Sequence, residues 1–352
     1  MTQPLSTLKV LDFSTLLPGP YATMLMADMG AEVLRVVHPT KPDLTEALPP
    51  IINGMSALHA QLTGNKTALK LDLKQSEATE RIKALILEYD IIVEQFRPGV
   101  MKSLGLDYDT LKALNPNLIY CSITGYGQTG PYADRAGHDI NYLALSGIAS
   151  YSGTQQHGPT LSGIQIADIA GGSHHAVMGI LSAVIERHHT QKGQHIDISM
   201  TDCAFSMNVI SGAPMLAGGA TPGYQTELLN GGFFYDYYPT ADGRYLSVGS
   251  LEPKFIQRLS HILDKPTLAQ KSMNPTPEVQ AQIKGTLKSI FLKKTLCEWR
   301  EIFANEDVCV EPVLTLKEAS EHPQLQARAM IREGKIGDKT VLQISQPIKF
   351  SH

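Results

Sequence analysis

The chain has 352 residues, of which 43% are hydrophobic and 18% charged, and a formal net charge of −4. That length exceeds one ordinary core and points to two domains, with ample apolar material for a soluble globular protein. The slightly acidic balance argues against a general nucleic-acid binder, which carries a basic excess.

Met1-Thr2-Gln3-Pro4-Leu5 has no basic region followed by an apolar run, so no secretory signal is expected. Lys9–Phe13 reads as a strand, broken by Pro18-Gly19-Pro20 before a helix over Ala22–Met29. Glu32–Val37 and Ala68–Leu73 read as the next strands, and Glu77–Glu88 as a helix. Asp90–Glu94 and Leu118–Ile123 add two more strands. Short, β-branched, nearly continuous apolar strands separated by helices predict a parallel sheet covered on both faces. Ligands of such sheets sit beyond the strands' carboxyl ends, here the loops after Phe13, Val37, Glu94 and Ile123.

A long helix is expected over Gly172–His189, a short strand over His195–Ile198 and a further helix from Thr201. Gly231–Tyr238 and Gly243–Gly249 read as an antiparallel pair joined at Ala241-Asp242-Gly243. Helices follow over Pro253–Leu263, Pro277–Phe291 and Thr295–Phe303. The predicted organisation is a large domain of residues 1–200 and 322–352, a linker helix and loop over 201–224, and a small domain over 225–321. Neither 176–185 nor 203–220 suits a membrane span, the first being too short and the second broken by Asn208, Pro214 and glycines.

Several chemistries are disfavoured. The turn Ser14–Pro20 after the first strand lacks the glycine fingerprint of a dinucleotide site. A Gly-x-x-x-x-Gly-Lys-Ser/Thr phosphate loop and a Gly-x-Ser-x-Gly elbow are also missing. Cys121, Cys203, Cys297 and Cys309 are scattered, as expected of thiols in a reducing cytoplasm rather than a zinc or redox site. His174-His175 and His188-His189 diverge around a helix axis, so no metal site is expected.

Ala136-Gly137-His138-Asp139-Ile140-Asn141-Tyr142 sets an imidazole beside a carboxylate, just after the glycine-rich turn Gly125–Pro131. Histidine both takes and gives a proton near neutral pH, and loops between core elements are where catalytic groups tend to sit. Asp168, read from its surroundings alone, is a helix N-cap. Glu252 reads as a surface carboxylate before Pro253, and Arg97 and Lys74 as solvated surface charge.

Further segments extend the pattern: Leu17-Pro18-Gly19-Pro20, Phe96-Arg97-Pro98-Gly99-Val100, Leu104-Gly105-Leu106, Asp168–Ser173, Ala241–Tyr245 and Cys309–Val313. In this order and spacing the chain resembles the class III CoA-transferase superfamily of CaiB/BaiF type, most of all its α-methylacyl-CoA racemase branch. The resemblance implies a Rossmann-like parallel-sheet large domain built from both termini, a smaller α+β middle domain, and an interlocked homodimer.

For function, the resemblance implies a racemase that interconverts (2R)- and (2S)-2-methylacyl-CoA thioesters through an enolate. His138 and Asp168 are the matching acid/base pair, Glu252 orients the histidine, and Asp139 holds the loop. The Gly171-Gly172 backbone is the expected donor to the enolate oxygen. Positions matching the family's CoA contacts are His38, Leu71, Asp72, Leu73, Lys74, Gln95, Phe96 and Arg97, then Gly137, Ile140, Asn141 and Tyr142. CoA arrives with the substrate, and no prosthetic group, nucleic acid or membrane partner is expected. Two positions depart from the pattern, His38 and Ser103 each standing where racemases commonly carry arginine. The runner-up is a CoA-transferase with Asp168 as nucleophile; a third reading is an acyl-CoA-binding scaffold.

Overall fold

A computed structural model describes residues 3–273 and 276–351. Two compact units emerge, one of Met1–Ile148, Leu161–Asn208 and Pro323–His352, the other of Ala149–Thr160 and Val209–His322. The segment 201–224, read from sequence as a linker, divides between them after Asn208.

The larger unit is built on β1 (Lys9–Asp12), β2 (Glu32–Val37), β3 (Thr67–Lys70), β4 (Ile91–Glu94), β5 (Ile119–Thr124) and β6 (His195–Ser199). They form one six-stranded sheet in the order β6-β5-β4-β1-β2-β3, with every neighbouring pair parallel. The expected Rossmann-like α/β class is therefore correct. Alternation along the strands splits the core. Val10, Ile91, Val93 and Ile119 face one cluster, which α1 (Pro18–Asp28) and the long helix after Ala167 also enter. Leu11, Ile92, Leu118 and Tyr120 face the other, completed by α2 (Ser76–Leu85), by Met101 and Leu106, and by Leu111 of α3 (Tyr108–Lys112).

Chain order reverses between β1 and β4, so the loops leaving these two strands open the crevice where such sheets take ligands. Polar contacts brace this edge. Buried Asp12 receives Thr23 Oγ1 at 2.5 Å and Lys66 Nζ at 3.3 Å. Desolvation, opposed by Asp12, pulls the Lys66 ammonium down to about 8.

Some boundaries differ from the sequence reading. Pro18-Gly19-Pro20 does not precede α1 but forms its first turn, where a proline's missing N–H leaves no bond unmade. The third strand ends at Lys70, which frees Leu71–Lys74 to turn over the sheet edge. After α4 (Asp139–Leu145), the helix expected from Gly172 begins five residues earlier, as a π-helical segment Ala167–His174 running into α5 (His175–Thr190). Two short helices flank the unit boundary, α6 (Met200–Ser206) and α7 (Val209–Leu216).

In the smaller unit, β7 (Asp236–Pro239), β8 (Tyr245–Val248) and β9 (Val310–Pro312) form an antiparallel sheet. The first partner is shorter than the expected Gly231–Tyr238. The α8 (Pro253–Ile262), α9 (Pro277–Phe291) and α10 (Leu296–Phe303) helices build its core around Tyr238, Phe291, Trp299 and Phe303. The Trp299 indole N–H donates to the Phe291 carbonyl at 2.9 Å, satisfying a buried donor. Residues 323–352 belong to the larger unit and carry a hairpin, β10 (Ile331–Ile336) and β11 (Lys339–Ile344). Among the described residues no helix is long and apolar enough to cross a membrane.

Candidate active site

His138 stands at the N-cap of a short helix, Asp139–Leu145, and its amide donates to Asn141 Oδ1 at 3.0 Å. The chain reaches it through a tightly packed aromatic knot. Tyr142 donates its hydroxyl to the Gly137 carbonyl at 2.6 Å and meets Tyr126 edge-on at 5.3 Å between centroids. A Cβ at Gly125 or Gly137 would lie 2.4 or 2.6 Å from the Tyr142 ring, so both positions require glycine. The imidazole itself is exposed, as is Ile140.

Asp139 faces the other way. Its Oδ1 accepts the backbone N–H groups of Ala167 at 2.6 Å and Asp168 at 3.0 Å. The carboxylate thus caps the π-helical segment from a neighbouring helix and sets His138 beside Asp168. Asp168 is the second residue of that segment and not its N-cap, which is Ile166, so the cap reading is corrected. Its half-buried carboxyl is pushed up to about 6, first by burial and then by the Asp139 charge, while the His138 imidazole pulls it down. π-Helical turns of this kind recur at functional sites.

The donors expected from Gly171-Gly172 are also corrected. Both glycines lie inside the helix and are buried, with a Cβ at Gly172 set to meet Met200 and Pro18 at 3.1 Å. The amides at the true helix start belong to Ala167 and Asp168, and Asp139 takes them.

Of the positions expected to hold CoA, His38, Leu71–Lys74 and Gln95–Arg97 follow the carboxyl ends of β2, β3 and β4, whereas Ile140, Asn141 and Tyr142 lie in the short helix after His138. His38 Nδ1 accepts the amides of Thr40 and Lys41, each at 3.1 Å, leaving Nε2 3.6 Å from Asp72 Oδ1. The Lys74 amide donates to the same Asp72 oxygen and, with His38 adding to it, holds that carboxyl below its usual range. Leu71, Leu73 and Phe96 rest on the second core cluster, while Lys74 and Arg97 are exposed. Gln95 Oε1 accepts the Gly19 amide at 3.0 Å across the β1–β4 crevice. Ser173 Oγ donates to the Pro18 carbonyl at 2.6 Å and lies 3.1 Å from the Asp168 carbonyl. The first turn of α1 therefore touches both the Gln95 turn and the Asp168 helix.

Glu252 lies in the smaller unit, exposed at the N-cap of α8; burial first, and then the Glu252 charge, push the Cys309 thiol up. Sequence reasoning passed over Glu94, Ser122 and His195. The usable signal was a polar residue on the inward face of otherwise apolar strands. Among the described residues no cluster of three or more His, Cys, Asp or Glu side chains is arranged to hold a metal ion.

A doubly wound α/β unit, with a carboxyl–imidazole pair on one face and polar turns at its switch point, defines the class of protein. CoA-transferase family III matches residues 5–352, and the chain belongs to that enzyme family. Human α-methylacyl-CoA racemase is 37% identical over 90% of this chain and 80% of its own length. Succinate–glutarate CoA-transferase of Agrobacterium fabrum is 33% identical over 99% of this chain and 90% of its own. The crystal structure of a CaiB/BaiF family protein from Brucella suis has a TM-score of 0.85 and 31% identity, covering 100% of this chain and 93% of that one.

Proposed function

We propose that this protein is a racemase of 2-methylacyl-CoA thioesters, in which His138 and Asp168 move one proton between the two faces of the α-carbon. The observation that carries this reading is a carboxyl raised to about 6 and electrostatically coupled to the His138 imidazole. A hydrogen beside a thioester carbonyl is weakly acidic, so its removal needs a positioned base with a pKa near the working pH. One group removes the proton and the other delivers one to the opposite face. Asp139 keeps the pair in register, because its carboxylate holds the Asp168 amide while its own backbone continues from His138. His38, Leu71–Lys74, Gln95–Arg97 and Gly137–Tyr142 take the CoA moiety, with Arg97 and Lys74 meeting phosphate oxygens.

The working form in this reading is an interlocked homodimer, with the partner's Glu252 meeting His138. In support, α7 buries none of its residues although Val209, Ile210 and Leu216 are large and apolar, as a surface awaiting a partner would be.

A second reading, CoA transfer between carboxylic acids with Asp168 as nucleophile, is favoured by the transferase relative that spans almost the whole chain. Incubating one epimer of a 2-methylacyl-CoA in heavy water and following it by NMR separates the two. The racemase incorporates deuterium at the α-position and forms the other epimer. Absence of exchange, with CoA passing to an added carboxylate and hydroxylamine trapping Asp168, would replace it by the transferase.

A further inference from the structure

The turn that follows β4 has a second side, away from the reacting pair. Glu94 ends β4 and is 3% exposed. Alternation puts its side chain with Ile92 on the second core face, whereas Val93 lies on the face that carries Asp168. A cavity of about 530 Å³ opens there, bounded by Glu94, Tyr120, Ser122 and His195 and by the cations Arg97 and Lys102. The Glu94 carboxylate accepts the Phe96 amide at 2.8 Å, and Ser122 Oγ lies 2.9 Å from His195 Nε2. Gln95, between Glu94 and Phe96, holds the Gly19 amide on the opposite face. One short turn is therefore pinned from both sides of the sheet.

We propose that Glu94 is a positioning residue for CoA: its carboxyl sets the Phe96 amide and with it the Gln95–Arg97 turn, and CoA binding draws a proton onto it from solvent. The proposal rests on the reading that this turn holds CoA. Phosphates brought to Arg97, which borders the same cavity, make a negative charge at Glu94 less favourable. Linkage then requires protonated Glu94 to bind CoA more tightly.

The groups around Glu94 fit this role. From β6, His195 and Asp197 face it, and burial holds the His195 imidazole below its usual range while Asp197 raises Glu94. From β5 come Ser122 and Tyr120, the latter raised by burial. Arg97 and Lys102 approach from the following turn, and Asp107, Tyr108 and Asp109 from the start of α3. Burial, only partly offset by Ser122 and the Phe96 amide, pushes Glu94 itself up to about 7. Because CoA raises it further, affinity is fullest below that value and falls as pH rises through it.

Calorimetric titration of CoA into the full-length protein, in buffers of different protonation enthalpy, reads the proton directly. Wild type should take up more protons than Glu94→Gln, whose amide still accepts from Phe96 but cannot titrate. CoA's own phosphate is common to both and cancels. Between about pH 6.5 and 8.5 the wild-type dissociation constant should weaken by about sixfold more than that of the variant if the coupling is about one unit. Glu94→Ala, which leaves the Phe96 amide without its acceptor, should weaken CoA at every pH. Equal uptake and parallel profiles in wild type and Glu94→Gln would overturn the proposal, with or without a folded alanine variant. A wild type that binds CoA with parallel profiles leaves the CoA reading intact, whereas one that binds no CoA removes both.

Discussion

Asp168 and Glu94 are both carboxylic acids raised towards neutrality, to about 6 and about 7, yet they stand on opposite faces of one sheet and answer to different surroundings. Glu94 is nearly fully buried, and its partners are an amide and a hydroxyl within the sheet. Asp168 is half-buried, with a second carboxylate and an imidazole bearing on it from a neighbouring helix. A raised carboxyl alone does not make an acid–base catalyst. What separates the two is that an exposed imidazole acts directly on half-buried Asp168, whereas Glu94 is almost fully buried and the imidazole on its face, His195, is tied to Ser122.

The comparison sharpens first in stability. Both groups bind a proton more tightly folded than unfolded, so each contributes stability below its unfolded pKa that is lost as pH rises through its folded value. At about pH 8, Glu94→Gln should be more stable than wild type by something on the order of 3 kcal/mol, a gap that closes below about pH 4.5. Asp168→Asn should show a smaller gap of the same sign, because solvent reaches that side chain. Chemical denaturation across pH checks both; a gap independent of pH at either position would show that its carboxyl is not raised by the fold.

His38→Arg should have a smaller effect. Arginine adds a lasting positive charge beside Asp72 but gives up the acceptor that His38 Nδ1 offers to Thr40 and Lys41. CoA should bind a few-fold more tightly at low salt, with the gain shrinking as salt screens it. An unchanged dissociation constant would remove His38 from the nucleotide surface.

Much of this is legible in the sequence. The apolar runs Ile91–Val93 and Ile119–Cys121, alternating with helical segments, point to strands buried on both faces of a parallel sheet. His138 and Asp139 stand out as an imidazole beside a carboxylate in a loop, whereas Asp168 reads alone as a helix cap and takes its role only from the family resemblance. Their arrangement was not legible, because it depends on a π-helical start at Ala167 that places Asp168 in the first turn and buries Gly171 and Gly172. Nor was Asp139's bond to two amides 28 and 29 residues away, a tertiary contact without a local signature. Glu94 escaped notice because a single polar residue at a strand end reads as a terminus, although its inward parity with Ile92 marked it as buried.

The account's central claim is that two different groups serve the two faces of one carbon, and one-sided exchange tests it most directly. Asp168→Asn and His138→Gln should both lose racemisation by roughly 10²–10⁴-fold, the range for removing a general acid or base. Each should still exchange the α-hydrogen of one epimer with heavy water, and the epimer should differ between the variants. If both variants lose exchange for both epimers alike, or either inverts at the wild-type rate, the two-base account is wrong.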